Sequence, residues 1–322
     1  MSLLVVPLAP GETNLLTLGE LDELLSCERV LFEHLHHPLM ARLRAAGVDC
    51  RELDDEPDAG ATDWALVTDP GSPRVLEFAR NGARVSVSGV IRPPDDLTAA
   101  HAAPIIRRAA TALAGVVAVM ARLRSEDGCP WDQEQTHESL KIHLLEEAHE
   151  VIEAIDSAET EDLAEELGDL LLQVVFHSRL AEQEGRFDIS EVASALTAKL
   201  VLRHPHVFSD LGVSGAAEVL TNWETIKTTE KGRAHPFEGI PRTLPALLKT
   251  AKMQKRAAPL GFRASEQEAL GRLASAVAGE VTRESLGEAL FWLVALARSQ
   301  GVDPEAALAS HLEKFRASLP AP

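Results

Sequence analysis

The sequence predicts a mainly α-helical protein in which a small α/β domain precedes two tandem all-α bundles. Three observations support this fold class. Short apolar runs alternate with helical patterns up to residue 94, long segments with apolar residues every three or four positions follow, and part of the helical region is repeated in diverged form. Domains usually hold roughly 100–200 residues. The length of 322 residues therefore suggests two or three domains. We expect them at 1–94, 95–231 and 232–322, with the first boundary at the proline-rich segment 92–96.

The first 94 residues carry the signals of a parallel sheet with helical crossovers. The turn Ala9-Pro10-Gly11 ends the first apolar run, and the turn Asp69-Pro70-Gly71 follows another. We predict strands at 3–8, 29–32, 64–67 and 83–90 and helices at 17–27, 38–46 and 73–80.

The rest of the chain has helical periodicity. Only a few residues separate the second and third helices of this region, so we expect them to form an antiparallel hairpin. Asp188 and Glu191 have the spacing of a capping box at the start of the fourth. The predicted helices are 104–124, 136–156, 160–183, 188–203, 216–231, 244–258, 266–279, 283–300 and 304–317.

Composition excludes several classes of protein. Apolar residues make up 45% of the chain and charged residues 25%, which is typical of a globular protein. A net charge of −19 argues against binding to the phosphate backbone of nucleic acids and suits a protein that binds cations. No apolar run approaches the ~20 residues that span a bilayer. The three cysteines form no CxxC motif, which excludes a disulfide framework and a zinc ribbon. We expect a cytoplasmic protein without membrane partners.

Two pairs of acidic residues are the main candidates for chemistry. Glu147 and Glu150 share a face of one predicted helix, and Glu166 and Asp169 have the same spacing on the next. Four carboxylates that converge between two helices repel one another unless a cation lies among them. Oxygen ligands favour a hard cation, so the pattern predicts a site for Mg²⁺, with Mn²⁺ as a substitute.

Two other interpretations of these acids stay open. Acidic residues are common on solvated helix faces, and a single pair of this spacing usually has no function. In addition, Glu146 and His149 form the Glu-x-x-His pattern of di-iron bundles. The facing helix carries no histidine at the equivalent position, which argues against that interpretation.

A carboxylate-bound Mg²⁺ prefers phosphate oxygens as its remaining ligands, which suggests a nucleotide substrate. Basic side chains at Arg203, Lys227 and Lys231 could bind the outer phosphates. Trp131 and Trp223 could stack on a base, although packing in the core is the more common role of tryptophan.

Residues 108–231 resemble the MazG family of nucleoside triphosphate pyrophosphohydrolases. The family signature EExxE followed by ExxD is filled by Glu146, Glu147 and Glu150 and by Glu166 and Asp169. Further matching blocks are 128–132, 184–188 and 203–208. The resemblance implies Mg²⁺-dependent hydrolysis of nucleoside triphosphates to the monophosphate and pyrophosphate, by attack of water on the α-phosphorus.

The resemblance also implies roles for individual residues. Its metal ligands would be Glu147, Glu150, Glu166 and Asp169, and Glu146 would orient or deprotonate the attacking water. Arg203 and Lys227 match positions that we assign to the triphosphate.

The C-terminal residues resemble a second copy of the same unit, as in tandem members of the family, in blocks 240–247 and 252–257. In the ExxD slot Ser285 replaces the glutamate and Glu288 the aspartate, and Ser318 stands where the first copy has Arg203. We therefore expect this copy to be structural, and a homodimer is expected. Residues 1–94 resemble a shortened tetrapyrrole methylase domain, which we interpret as a remnant that serves stability or regulation.

A second function stays open. The acids could bind a magnesium–nucleotide complex without turnover, in a regulatory or scaffold protein. Tight nucleotide binding without hydrolysis would distinguish that function from the enzymatic one.

Overall fold

The computed structural model describes residues 3–53, 63–87, 90–92, 97–157, 160–209, 211–216, 218–219, 222–223, 226 and 235–319. These fall into two compact units, Met1–Leu211 and Gly212–Pro322. Most of the described residues are helical, and a small sheet lies near the N-terminus. The predicted mainly α-helical class with a preceding α/β part is therefore confirmed.

The N-terminal part is built on a six-stranded sheet of order β3-β2-β4-β1-β5-β6. All neighbouring strands are parallel except β5 and β6. Helices cover both faces, so the central strands are almost continuously apolar. The strands are β1 (Leu4–Pro7), β2 (Arg29–Phe32), β3 (Asp49–Glu52), β4 (Trp64–Thr68), β5 (Arg84–Val87) and β6 (Val90–Arg92). The helices are α1 (Leu18–Ser26), α2 (Pro38–Ala45), α3 (Arg74–Arg80) and α4 (Thr98–Ala102).

Two strands differ from the prediction. The sequence Asp-Cys-Arg-Glu of β3 lacks an apolar run because this strand lies at the edge of the sheet, where only Cys50 is buried. The strand predicted at 83–90 is in fact β5 followed by the start of β6, its antiparallel neighbour.

A helical part completes the first unit. It consists of α5 (Ile106–Leu123), α6 (Pro130–Glu134), α7 (Lys141–Ser157), α8 (Thr160–Gln183), α9 (Ile189–Arg203) and α10 (Pro205–Phe208). As predicted, α7 and α8 pack directly against each other. A small apolar core forms where α5 and α8 meet, around Met120, Val175 and Phe176.

Helix α7 begins five residues later than the predicted position 136. The hydroxyls of Thr136 and Ser139 accept hydrogen bonds from each other's backbone amides, at 3.1 and 2.9 Å. This reciprocal pattern is that of a capping box, but residues 137–140 form turns and α7 itself begins at Lys141. The predicted capping box of Asp188 and Glu191 starts α9.

Much of the apolar stripe on the α7–α8 hairpin is exposed. On α7, side chains from Leu144 to Ile155 lie on the surface, as do two on α8. These residues are 39–58% exposed: Leu144, Leu145, Ile152, Ile155, Leu167 and Val174.

The second unit contains α11 (Ala246–Ala257), α12 (Glu266–Val277), α13 (Arg283–Ser299) and α14 (Pro304–Ser318). Helices α12 and α13 pack closely, as α7 and α8 do. The helix predicted at 216–231 lies largely outside the described residues. Within the described part of the chain, no helix is both long and apolar enough to cross a bilayer.

Candidate metal and nucleotide site

Three of the predicted carboxylates converge on the α7–α8 hairpin. Glu147 and Glu150 lie three residues apart on α7, so they share a face, and Glu166 faces them from α8. One carboxylate oxygen of each lies within 4.8 Å of the others. The structure therefore brings acids from two helices to one place, although their role as metal ligands stays a prediction.

Burial and the neighbouring negative charges raise the pKa values of two of these carboxyl groups. Burial, followed by the charges of Asp169 and Glu150, raises the pKa of Glu147. Burial, followed by the charges of Glu150 and Asp169, also raises the pKa of Glu166. The charge of Asp169 thus affects both groups, although Asp169 is not one of the three residues whose carboxylate oxygens converge. Carboxylates that disfavour one another's charge are suited to a cation, which removes the repulsion.

The donor atoms of the cluster are all oxygens. Among the described residues, this group of side chains contains no histidine or cysteine, and His149 is exposed outside it. A di-iron site would need a histidine from this motif, so the cluster fits a hard divalent cation better.

Glu146 lies beside the cluster rather than in it. Its side chain is 54% exposed, and its Oε2 lies 3.1 Å from Nδ1 of His143. The indole of Trp131, 53% exposed, packs edge-on against the imidazole of His143 with ring centroids 6.2 Å apart. Sequence reasoning did not select His143, although its spacing of three residues from Glu146 on one helix could have indicated the contact.

The other predicted binding residues have different surroundings. Arg203 is the last residue of α9 and is buried. Trp223 is half-buried and belongs to the second unit. Lys227 and Lys231 lie outside the described residues. The structure therefore leaves the roles of these four residues as predictions.

The corresponding hairpin of the second unit lacks a cluster of acids in its described residues. A groove of about 480 Å³ there is lined by Glu268, Arg272 and Ser275 of α12 and by Glu288 of α13, so it holds two acids beside an arginine. The hydroxyl of Ser285 accepts a hydrogen bond from the backbone amide of Thr282 at 2.9 Å, so it serves as a helix cap. Among the described residues, this hairpin therefore packs as the first does but has no comparable group of three acids.

The part of the chain that carries the acids of α7 and α8 is similar to known proteins. Residues 135–208 match the MazG nucleotide pyrophosphohydrolase domain, a range that includes α7, α8 and α9. The nucleoside triphosphate pyrophosphohydrolase of Escherichia coli strain K12 is 41% identical over 220 residues, which span 62% of this chain and 82% of that protein.

Two further relatives come from distant bacteria. The nucleoside triphosphate pyrophosphohydrolase/pyrophosphatase MazG of Thermotoga maritima is 41% identical over 210 residues, spanning 62% of this chain and 81% of its own length. The nucleoside triphosphate pyrophosphohydrolase of Mycobacterium tuberculosis is 37% identical over 201 residues, spanning 62% and 56%. The chain belongs to the MazG family of nucleoside triphosphate pyrophosphohydrolases.

Proposed function

We propose that the chain hydrolyses nucleoside triphosphates to the monophosphate and pyrophosphate at the α7–α8 hairpin, with Mg²⁺ held by the converging carboxylates. The observation that carries this proposal is the approach of Glu147, Glu150 and Glu166 to within 4.8 Å of one another. As a member of its family, the chain is a hydrolase that acts on acid anhydrides.

The carboxylates would hold the metal. Glu147 and Glu150 contribute from α7, and Glu166 and Asp169 from α8, which fixes the ligands on two packed helices. When bound, the cation polarises the phosphoryl oxygens and offsets the charge that develops on them. Oxygen ligands and a phosphate substrate favour Mg²⁺, and Mn²⁺ has compatible chemistry.

Other side chains of the first unit would act on the water and the substrate. Glu146 lies beside the metal ligands and is exposed, so it can accept a proton from the water that attacks the α-phosphorus. Arg203 at the end of α9 supplies a guanidinium for the triphosphate. Trp131 is exposed beside His143 and offers a face for stacking of the base.

Three residues farther along the chain complete the proposed set of binding groups. Lys227 and Lys231 supply point charges for the outer phosphates, and Trp223 a second aromatic face. These assignments rest on the sequence.

We also propose that the active form is a homodimer. The apolar side chains exposed on α7 and α8 lie on the same helices as the acidic cluster. An apolar face of this kind is costly in water, and a second copy of the hairpin would cover it with a surface of the same character. Light scattering coupled to gel filtration tests this: we expect twice the chain mass, and a monomer at micromolar concentration would contradict it.

The second helical unit would have a structural role, because Glu288 is the single acid left in its ExxD slot. The predicted domain division stays a proposal with one change. Ala99, Ala100 and Ala103 pack in an apolar cluster of the sheet. We therefore propose that the α/β part extends past residue 94 to the start of α5. A cytoplasmic location is proposed from the three free cysteines.

Product analysis in ¹⁸O-labelled water tests the proposed reaction. The protein is incubated with Mg²⁺ and a mixture of ribo- and deoxynucleoside triphosphates. The products are separated, and the mass of each is measured by mass spectrometry to locate the label. We expect monophosphate and pyrophosphate, with ¹⁸O in the monophosphate because water attacks the α-phosphorus. Label in the pyrophosphate would place attack at the β-phosphorus. Diphosphate and phosphate would contradict the pyrophosphohydrolase reaction, and tight binding without turnover would favour the scaffold function.

A further inference from the structure

A second cavity with a basic lining lies in the C-terminal unit, between the loop after α11 and the end of α13. It has a volume of about 210 Å³. Arg263 and Arg298 line it together with Phe262 and Ser299, and small alanine side chains complete its walls. Among the described residues that line it, none is acidic. Two guanidinium groups without an acid are unusual in a chain with a net charge of −19.

The guanidinium of Arg298 is held in place by a buried amide. Gln254 is 1% exposed, and its Nε2 donates a hydrogen bond of 2.9 Å to the carbonyl of Phe291. Its Oε1 therefore faces Arg298 and accepts a bond of 3.2 Å from Nη1. Burial lowers the pKa of Arg298, and no carboxylate of the described residues opposes that effect. Among the described residues this guanidinium makes one hydrogen bond, to Gln254, so its other donors can serve a ligand.

The loop that carries Arg263 is held by contacts on both sides of that residue. Gly261 has a φ of 99°, a left-handed conformation that glycine adopts without strain. The amide of Phe262 then bonds the carbonyl of Ala257, and its ring packs against those of Phe291 and Trp292, with centroids 5.6 and 6.0 Å away. Ser265 caps α12 immediately afterwards. Arg263 therefore extends from a loop anchored on both sides.

We propose that this two-arginine cavity, lined by Arg263 and Arg298, binds a small phosphate anion, either inorganic phosphate or pyrophosphate. Its volume of about 210 Å³ is below the roughly 300–1,000 Å³ of sites for drug-sized ligands, which suits a small anion better than a whole nucleotide. Guanidinium groups bind phosphate oxygens through paired hydrogen bonds. Two such charges match an anion that carries at least two negative charges, whereas a carboxylate carries one.

The structural alternative is that Arg298 only offsets the dipole at the C-terminus of α13. The last carbonyls of that helix already accept hydrogen bonds from the amides of Gln300, Gly301 and Val302. The alternative also gives no reason for a second arginine on the facing loop. It predicts no binding of an anion.

Calorimetric titration of the full chain in EDTA tests the proposal, because chelation removes metal-dependent binding of phosphates at the α7–α8 hairpin. Inorganic phosphate and pyrophosphate are titrated separately, and the tighter of the two identifies the natural anion. We expect one binding site per chain. Arg298→Gln should weaken binding about tenfold or more, and Arg263→Gln several-fold.

Two controls make the result specific. Arg316→Gln removes an exposed arginine of the same unit, and Glu166→Ala disrupts the proposed metal site; both should bind the anion as the parent does. Thermal unfolding checks that each variant is folded. If Arg298→Gln unfolds, Arg263→Gln decides, because its side chain lies on the surface. Absence of binding by the parent chain, or unchanged binding by the folded variants, would overturn the proposal.

Discussion

Removal of the Arg107 side chain is expected to destabilise the first unit strongly. Arg107, in the first turn of α5, is 3% exposed, and its partner Glu20 on α1 is 1% exposed. The two form a bidentate salt bridge, in which Nη2 and Nη1 of Arg107 donate to Oε1 and Oε2 of Glu20 at 2.6 and 2.9 Å. The same guanidinium donates to the carbonyls of Pro7 and Leu15, at 3.0 and 3.1 Å. This one side chain therefore links α5 to the α/β part.

The magnitude follows from the burial of the pair. Loss of one partner of a buried ion pair leaves the other charge uncompensated, which typically costs about 3–5 kcal/mol. Arg108 is the matched control, since it bonds Glu12 at 3.0 Å but its own side chain is 76% exposed. Loss of such a surface pair costs about 0–1 kcal/mol. Urea unfolding of Arg107→Ala and Arg108→Ala measures both. Equal losses in free energy of unfolding would refute the reasoning.

The effect should depend on pH. Burial alone would raise the pKa of Glu20, but the hydrogen bonds from Arg107 and Thr17 outweigh it, so this pKa lies below its ordinary value of 4.5. A lowered pKa in the folded state contributes stability that is present above 4.5 and is lost as pH falls through the folded value. The difference between the parent and Arg107→Ala should therefore shrink below that pH. A constant difference would show that the charge of Glu20 is not involved.

Three further outcomes test the account of the site. Glu150→Ala and Glu166→Ala should abolish hydrolysis and leave the circular dichroism spectrum unchanged; activity in both would remove the metal-site hypothesis. Glu288→Ala, the matched carboxylate of the second unit, should keep nearly full activity, and a large loss would show that this copy is required. Mg²⁺ should raise the thermal midpoint of the parent but not of Glu166→Ala, because only the folded cluster binds it; equal shifts would place the stabilising metal elsewhere.

Local signals in the sequence predicted several elements to within a residue. Helix α8 spans the predicted 160–183, and the capping box of Asp188 and Glu191 starts α9 as expected. The start of α7 was predicted five residues too early, because residues 137–140 form turns before the helix begins at Lys141. Edge strand β3 was missed because its residues are mostly polar. Periodicity does not report a turn at the start of a helix or the position of a strand within a sheet.

The candidate site could be predicted only in part. Spacing along α7 and α8 indicated which carboxylates share a face, and the packed hairpin brings three of them together. The spacing of three residues between His143 and Glu146 could have indicated their contact but was not used. Spacing could not indicate that Arg107 crosses to Glu20. The two-arginine cavity was missed for the same reason. Arg263 and Arg298 are 35 positions apart in the chain, and single basic residues usually lie on the surface.

The central claim is that the carboxylates of α7 and α8 hold the divalent cation on which hydrolysis depends. Titration with Mn²⁺, followed by electron paramagnetic resonance of the free ion, measures this binding without turnover. We expect the parent chain to bind Mn²⁺ and to release it on addition of Mg²⁺, Glu166→Ala to lose this binding, and Glu288→Ala to keep it. Undiminished Mn²⁺ binding by Glu166→Ala and Glu150→Ala would contradict the account.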